Sequence, residues 1–465
     1  MNPASKPLTF TKTAGLTIGA VAAFTVAYST TWGGCLMLLF FWCLIALTRH
    51  GSARVAFYSG LTIGMLAYSI QLYFFYSIFG PAAIILWSIL AFWLAIFLLL
   101  AQLSFARLKP THAALLVPFL WTGIEYFRSE LYYLKFSWLN AGYVMPGFCY
   151  IGMYGAGFLA MLLVTAFCFR REIFAWLTLL RLFLILFFIF VAALLFTPAL
   201  AESRIPRRGS VAVAGIQFEF EHYKTVLQGL DDLVVKYPDA KLLVLCEYTL
   251  HEPPPDEMKA WCRDHNRFLV VGGEQPTTNG DYYDTAFVIG TNGEVVFQQG
   301  KSVPIQFFKD GLPAREQKVW DSPWGKIGFC ICYDLSYTRV TDELIRQGAQ
   351  AIIVPTMDLE SWGEHQHKLH ALVAPVRASE YGVPIFRVAS SGISQLVDAN
   401  GRVQASAPFP GEGATLHGTM ALLRPGRLPL DRILAPFCVV IVCVVIFWLA
   451  AMRFYPRVQP HSTAP

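Results

Sequence analysis

The sequence predicts a multi-span α-helical membrane domain joined to one layered α/β domain. Three observations carry this reading. Of the 465 residues, 55% are hydrophobic and 14% charged, whereas a soluble globular chain carries about 25% charged residues. Apolar stretches long enough to cross a bilayer fill the first 197 residues and recur at 433–453. Between 200 and 430, short β-branched runs alternate with helical patterns and Gly/Pro-marked turns, the signature of an α/β layer structure. A fully soluble enzyme and a disordered chain are thereby excluded. The formal charge of +5 is too small to suggest a nucleic-acid partner.

A transmembrane helix needs roughly 20 apolar residues to cross about 30 Å of hydrocarbon. Eight spans are expected, at 14–30, 33–48, 55–77, 82–105, 111–127, 148–168, 174–197 and 433–453. The fifth ends in Glu125 and Arg128 and is the least apolar at its edge. A second span follows the first at once, with no small-x-small cleavage site between them, so the first is not read as a signal peptide.

Basic residues then set orientation. One set of ends holds Lys6, Lys12, Arg49, Arg54, Arg107, Lys109, Arg170, Arg171, Arg453 and Arg457. The opposite short loops hold only Arg128 and Lys135. Both termini are therefore expected in the cytoplasm and the α/β segment on the other side, periplasmic in a bacterium. Residues 200–430 carry 22 basic and 27 acidic residues, the remainder 14 and 4. The basic excess thus belongs to the membrane part and is not a ligand-binding patch. Expected domains are 1–199 with seven spans, 200–430 as the catalytic unit, and 431–465 as a final span and cytoplasmic tail.

Within the α/β segment, strands are expected at Val211–Ile216, Leu242–Leu245, Phe268–Val271, Ala286–Ile289, Ile327–Cys332, Ala351–Val354 and Ile385–Ala389. Helical patterns cover Val340–Gln347 and Lys368–Tyr381. Six of the ten cysteines lie in hydrophobic segments; the other four, Cys246, Cys262, Cys330 and Cys332, show no zinc-site spacing.

Three places look chemical. A buried strand pattern ends in Glu247; Lys301 follows a hairpin-like Asn292-Gly293 region; and a strand ends in Cys332, followed by Tyr333 and Asp334. A cysteine at a strand-to-helix turn meets substrate while its neighbours stay packed, and backbone N–H groups after it suit an oxyanion. A free thiol has a pKa near ~8.5 and needs a base. Glu247 could take the proton and Lys301 could stabilise the oxyanion. Taken singly, each is more often a surface acid, a solvated lysine or an inert core thiol. Cys330, two residues earlier, would share a strand face with Cys332 and is the rival nucleophile; a buried small hydrophobe is the preferred reading for it, and for Cys246. His365, His367 and His370 invite a metal reading, but their spacing does not put all three on one helical face. A polar helix start near the site mouth is preferred, and no metal is expected. Glu125 and Arg128 could form an i,i+3 ion pair.

The order Glu247, then Lys301 before Pro304 and Phe307, then Cys332-Tyr333-Asp334, resembles the carbon–nitrogen hydrolase (nitrilase) superfamily. Tyr283–Ile289, Arg377–Glu380, Pro384–Arg387, Ser391–Ser394 and Asp398–Gly401 resemble it too. The resemblance covers roughly 210–420 and implies an α-β-β-α sandwich with a Glu247–Lys301–Cys332 triad. In the membrane half, Trp121–Ser129, Phe136-Ser137-Trp138, Gly142-Tyr143 and Gly152–Gly157 resemble the apolipoprotein N-acyltransferase family, as does the layout of spans. That family resemblance implies acyl transfer through a cysteine thioester, from a phospholipid donor to a lipoprotein N-terminus, with no cofactor. It also implies an inner-membrane location. Tyr333 and Asp310 are implied as oxyanion or support residues, Asp310 in place of the family's second Glu. Glu125, Arg128, Trp138 and Trp362 become substrate-cleft candidates. The family's Asn-Asp-x-Trp-Phe-Gly stretch is here Met357–Gly363, which is longer and lacks the aromatic after Trp362. That departure keeps a membrane-tethered amidase, serving an export or conjugation system, as the alternative. A degenerate binding scaffold is disfavoured by the complete triad.

Overall fold

The computed structural model describes residues 8–30, 33–50, 52–145, 150–170 and 209–454. The N-terminal part holds α1 (Phe10–Ser29), α2 (Gly34–His50), α3 (Ala53–Gln71), the short α4 (Phe74–Phe79), α5 (Ala82–Arg107), α6 (Pro110–Tyr126) and α7 (Met153–Cys168). Thr9 and Ser52 cap α1 and α3 by accepting backbone N–H bonds, which serves donors that have no intrahelical partner. Gly60 and Gly64 on α3 face Ala95 and Ala91 on α5 so closely that a Cβ at either glycine would clash. Small residues four apart let two helices approach at their backbones, the usual way helices pack in lipid.

By length and composition, Phe10–Ser29, Ala82–Arg107 and Asp431–Met452 could each cross a membrane, with Gly34–Arg49 and Met153–Cys168 as shorter apolar helices. The expected third span, 55–77, is not one helix. It stops at Gln71, whose side chain bonds the Thr25 carbonyl at 2.9 Å and His365 at 3.0 Å, and α4 resumes after a turn. The expected sixth span is helical only from Met153, residues 148 and 149 lying outside the described set. The expected seventh span, 174–197, also lies outside the described residues.

Two six-stranded sheets follow. The first has the order β12-β1-β2-β3-β4-β5, comprising β1 (Ser210–Ile216), β2 (Leu242–Val244), β3 (Phe268–Pro276), β4 (Tyr282–Ile289), β5 (Val295–Gly300) and β12 (Thr415–Ala421). The second has the order β11-β10-β9-β8-β7-β6, comprising β6 (Val319–Ser322), β7 (Gly325–Phe329), β8 (Ala351–Thr356), β9 (Ile385–Ala389), β10 (Ser394–Val397) and β11 (Val403–Ala407). Each sheet is parallel at its centre, β1-β2-β3 and β7-β8-β9, and antiparallel at its edges.

Alternation along the strands builds four layers. Val211, Val213, Leu242 and Val244 of the first sheet meet Ile327, Phe329, Ile353 and Phe386 of the second in a shared core. Side chains of opposite parity, such as Leu243 and Leu269, pack outward on α8 (Tyr223–Lys236) and α9 (Asp256–Asp264). The outer face of the second sheet packs on α10 (Thr338–Arg346), α11 (Glu364–Ala371) and α12 (Val373–Tyr381), and that core is continuous with the membrane helices through residues such as Phe40 and Trp121. The fold is therefore a helical membrane part carrying an α-β-β-α sandwich. The expected helix Lys368–Tyr381 is two helices meeting at Leu372.

The two parts are locked by buried ion pairs at the start of α13 (Asp431–Phe454). Arg432 Nε lies 2.8 Å from Asp342 and its Nη2 donates to Tyr381 Oη at 2.6 Å. Glu380 pairs with Arg377 at 2.6 Å and accepts the Met153 amide, at the head of α7.

Candidate active site

Glu247, Lys301 and Cys332 each lie just beyond a strand end, on β2, β5 and β7 respectively. Glu247 and Lys301 leave the first sheet and Cys332 the second, so they meet across the inter-sheet core. Backbone turns aim two of them. Tyr248, next to Glu247, has φ 51°, and Cys332 itself has φ 49°. A non-glycine residue held there costs on the order of 1–3 kcal/mol and persists only where its surroundings enforce it. The same turn explains why Cys330 and Cys332 do not share a face, contrary to expectation. The strand ends at Phe329, Cys330 packs into the outer helical layer, and Cys332 turns back to the inter-sheet core. Gly272 presses against the Glu247 backbone, where a Cβ would come within 2.6 Å of its Cα.

Lys301 Nζ sits among three carboxylates: 2.6 Å from Glu247, 2.7 Å from Asp310 and 3.4 Å from Asp284. Burial alone would lower the lysine pKa, but the surrounding acids raise it well above its ordinary value. Burial pushes Glu247 up, yet Lys301 and hydrogen bonds outweigh it and hold the carboxylate below its usual range. Asp284 is pushed well above its usual range by burial and by the Glu247 charge. Burial also pushes Asp310 up, against the pull of Lys301, so the neutral form is favoured most strongly at Asp284 and the ionised form at Glu247. Oxygens of all three acids lie within 4.8 Å of one another, close enough to hold a metal ion, but the Lys301 ammonium occupies the cationic position between them.

Met357 links Glu247 to the Cys332 thiol. Its amide donates to Glu247 Oε2 at 2.6 Å, and its carbonyl accepts the Cys332 thiol at 3.6 Å. Burial, then the Glu247 charge, raises the Cys332 pKa well above the ordinary thiol value. The resting group is a neutral thiol. Asp334 holds the site's frame: its carboxylate accepts from the Ser302, Val303 and Ile331 amides. Burial pushes Asp334 up to about 6, with Lys301 and those amides opposing.

A cavity of about 890 Å³, counting its open mouth, reaches Cys332 from the membrane helices. Phe74, Phe75 and Ile78 of α4 and Leu86 and Leu90 of α5 line it together with Trp138, Tyr333, Trp362 and His370. The wall is almost wholly apolar. Phe308 meets both Phe79, at 5.7 Å, and Trp362, at 6.1 Å.

Asp310 lies at Lys301 and also accepts from Tyr248 Oη at 2.9 Å and the Ile305 amide at 2.6 Å. The Tyr333 ring stands edge-on to Tyr337 and Trp138 in the cavity wall. Trp138 and Trp362 line the cavity that contains Cys332; Glu125 and Arg128 do not. They border a separate small cavity inside the helix bundle with Trp93 and Trp121. Instead of pairing with each other, Glu125 accepts the Ala141 amide at 2.9 Å and Arg128 donates to Asn140. The α6 helix widens into a π turn at Phe127–Leu131, and Glu130 in that turn accepts the Thr338 amide at 3.2 Å.

The histidines lie on the short helix α11, expected as a polar helix start near the site mouth, and His370 lines the cavity that contains Cys332. His365 reaches Gln71, while His367 and His370 are buried and turn to Asp358. Sequence reasoning gave no role to Asp284, Asp334 or Asp358. The one signal for Asp284 is an acid inside the otherwise strand-like run Tyr283–Ile289.

Residues 243–422 match the family model for carbon-nitrogen hydrolases, and residues 16–166 match that for the apolipoprotein N-acyltransferase N-terminal domain. An apolipoprotein N-acyltransferase of Shewanella oneidensis is 24% identical over 389 residues, covering 70% of this chain and 73% of that one. One from Geobacter metallireducens is 22% identical over 431 residues, covering 79% and 82%. A deaminated glutathione amidase of Dictyostelium discoideum is 27% identical over 175 residues, covering 33% of this chain and 60% of that one. Similarity to the acyltransferases runs through both the membrane part and the sandwich, whereas similarity to the amidase is confined to a third of the chain. Along both of its parts the chain is similar to apolipoprotein N-acyltransferases, and in the sandwich it is similar to carbon–nitrogen hydrolases.

Proposed function

We propose that this protein moves an acyl chain from a phospholipid to the N-terminal amine of a lipoprotein through a thioester on Cys332. The observation that carries this reading is the single apolar cavity shared by Cys332 and the side chains of α4 and α5. Such a space accommodates a hydrocarbon chain whose ester carbonyl rests at the thiol. A small polar amide has no use for it.

Glu247, ionised and fixed through Lys301 and Met357, accepts the Cys332 proton as sulfur attacks the ester carbonyl. The Lys301 ammonium, with backbone N–H groups after Cys332, stabilises the oxyanion. The proton passes to the departing lysophospholipid oxygen, leaving the thioester. The amine then attacks, the C–S bond breaks, and an amide and free thiol result. Asp310 and Asp334 support the lysine and the turn, and Tyr333, Trp138 and Trp362 shape the chain's path. Glu125 and Arg128 act only through the 137–141 loop. Domains at 1–199, 200–430 and 431–465 accord with this reading. The distribution of basic residues supports an inner-membrane protein with cytoplasmic termini and a periplasmic sandwich. Tethering both substrates and the site to one membrane raises their effective concentration.

A membrane-tethered amidase is the second reading, favoured by the amidase similarity and the altered Met357–Gly363 segment. Expression in a bacterium depleted of its own N-acyltransferase separates the two. Mass spectrometry of lipoprotein N-termini should show triacylated forms restored; termini that stay diacylated would exclude the acyltransferase reading.

A further inference from the structure

Outside the triad, one ionisable pair faces the acyl cavity. His370, on α11, is 2% exposed and stacks on Trp138 with ring centroids 4.7 Å apart and planes at 19°. Its Nδ1 lies 2.8 Å from Asp358 Oδ1. Arg387 donates to the other carboxylate oxygen and lies 3.0 Å from the same Nδ1, and His367 Nδ1 is 3.7 Å from Asp358. An imidazole nitrogen facing a carboxylate carries the proton, which leaves Nε2 as the acceptor. Among the described residues no hydrogen bond reaches His370 Nε2. His370, Asp358 and Cys332 all line one cavity, and Asp358 directly follows the Met357 that holds the thiol.

The second half of the transfer needs a proton acceptor of its own. An α-amine attacking the thioester becomes acidic as its bond to carbon forms, and Glu247, unlike His370, does not line the cavity that opens onto Cys332. We propose that His370, oriented by Asp358, takes the proton from the lipoprotein amine as it attacks the Cys332 thioester. This inference rests on the acyltransferase reading. The amine nitrogen forms the amide bond and the C–S bond breaks. The departing sulfur then recovers the proton from the imidazolium, regenerating thiol and neutral His370. Burial holds the imidazole below its usual pKa, against the pull of Asp358 and with Arg387 and His367 adding to the lowering. The base form is therefore present at neutral pH.

The test uses full-length protein loaded with one acyl group from a defined phosphatidylethanolamine and followed by intact mass. With H370Q, discharge by a synthetic diacylated lipopeptide should slow by ~10²-fold or more beyond any change in thioester formation, the usual worth of a general base. Hydroxylamine, unprotonated and strongly nucleophilic at pH 7, should discharge both proteins equally. For wild type at subsaturating lipopeptide, log rate against pH should approach a slope of two on the acid side, because amine and histidine must both be unprotonated. For H370Q the slope should remain one. Lipopeptide discharge of H370Q at the wild-type rate would overturn the proposal. So would equal losses with lipopeptide and hydroxylamine, which mark a packing role. A wild-type slope that stays at one overturns it even if H370Q does not fold. Absence of any wild-type thioester would instead defeat the acyltransferase reading.

Discussion

Trp138 Nε1 donates to Ser336 Oγ at 2.9 Å, so a loop of the membrane part grips the turn that begins at Cys332. Ser137 Oγ and Arg377 bond the Ser336 carbonyl from either side. The thiol's backbone is thereby fixed relative to the helices that line the acyl cavity. W138F keeps a ring against His370 but removes the donor, at a cost of about 1 kcal/mol. Thioester formation should slow several-fold with the protein still folded by thermal melt, and W138A should do worse in both assays.

Burial and charge push Glu247 and Asp284 in opposite directions, so isosteric amides separate them. Asp284 is held neutral by burial and the Glu247 charge, and D284N should keep thioester formation within a few-fold of wild type at pH 7. Glu247 is the ionised member, and E247Q should lower acylation by at least ~10²-fold. Equal losses in the two variants would show that the charge assignment is wrong.

The neutral resting thiol has its own signature. Because burial and the Glu247 charge raise the Cys332 pKa, alkylation by iodoacetamide should climb with pH through 9 without a plateau. E247Q removes a charge that opposes the thiolate, so this labelling should not slow even though acylation does. A plateau near pH 7 would indicate a resting thiolate instead.

Leu90 on α5 lines the cavity and is buried. L90W should shorten the longest acyl chain that loads onto Cys332 by several carbons, read as mass added from phospholipids of graded chain length. Overpacking of this kind costs roughly 1–3 kcal/mol, so melting should be checked alongside. Unchanged chain selection would separate the cavity from the acyl group.

Much of this was legible because strand ends announce themselves. Apolar runs ending in Glu247 and Cys332 fixed where the first and second sheets open, and Lys301 followed a hairpin readable from Asn292-Gly293. Asp310, implied by the resemblance in place of the family's second Glu, lies 2.7 Å from Lys301. Other features depend on tertiary placement. Gln71 breaks the third apolar stretch without glycine or proline, because its amide is satisfied by Thr25 and His365 from distant segments. Asp284 and Asp358 are isolated acids in sequence and acquire meaning only through Lys301 and Arg387. The family resemblance implied Glu125 and Arg128 as cleft residues, but they line a bundle cavity separate from the one that holds the thiol.

The central claim is that Cys332 carries the acyl group between lipid and amine. Incubation of the intact protein with a phospholipid of defined chains, followed by mass spectrometry, tests it most directly. The account predicts one added acyl group on wild type, none on C332A, and loss of that group with formation of an amide when a diacylated lipopeptide is added. A wild-type mass that never changes, while acyl transfer to the lipopeptide proceeds, would contradict it.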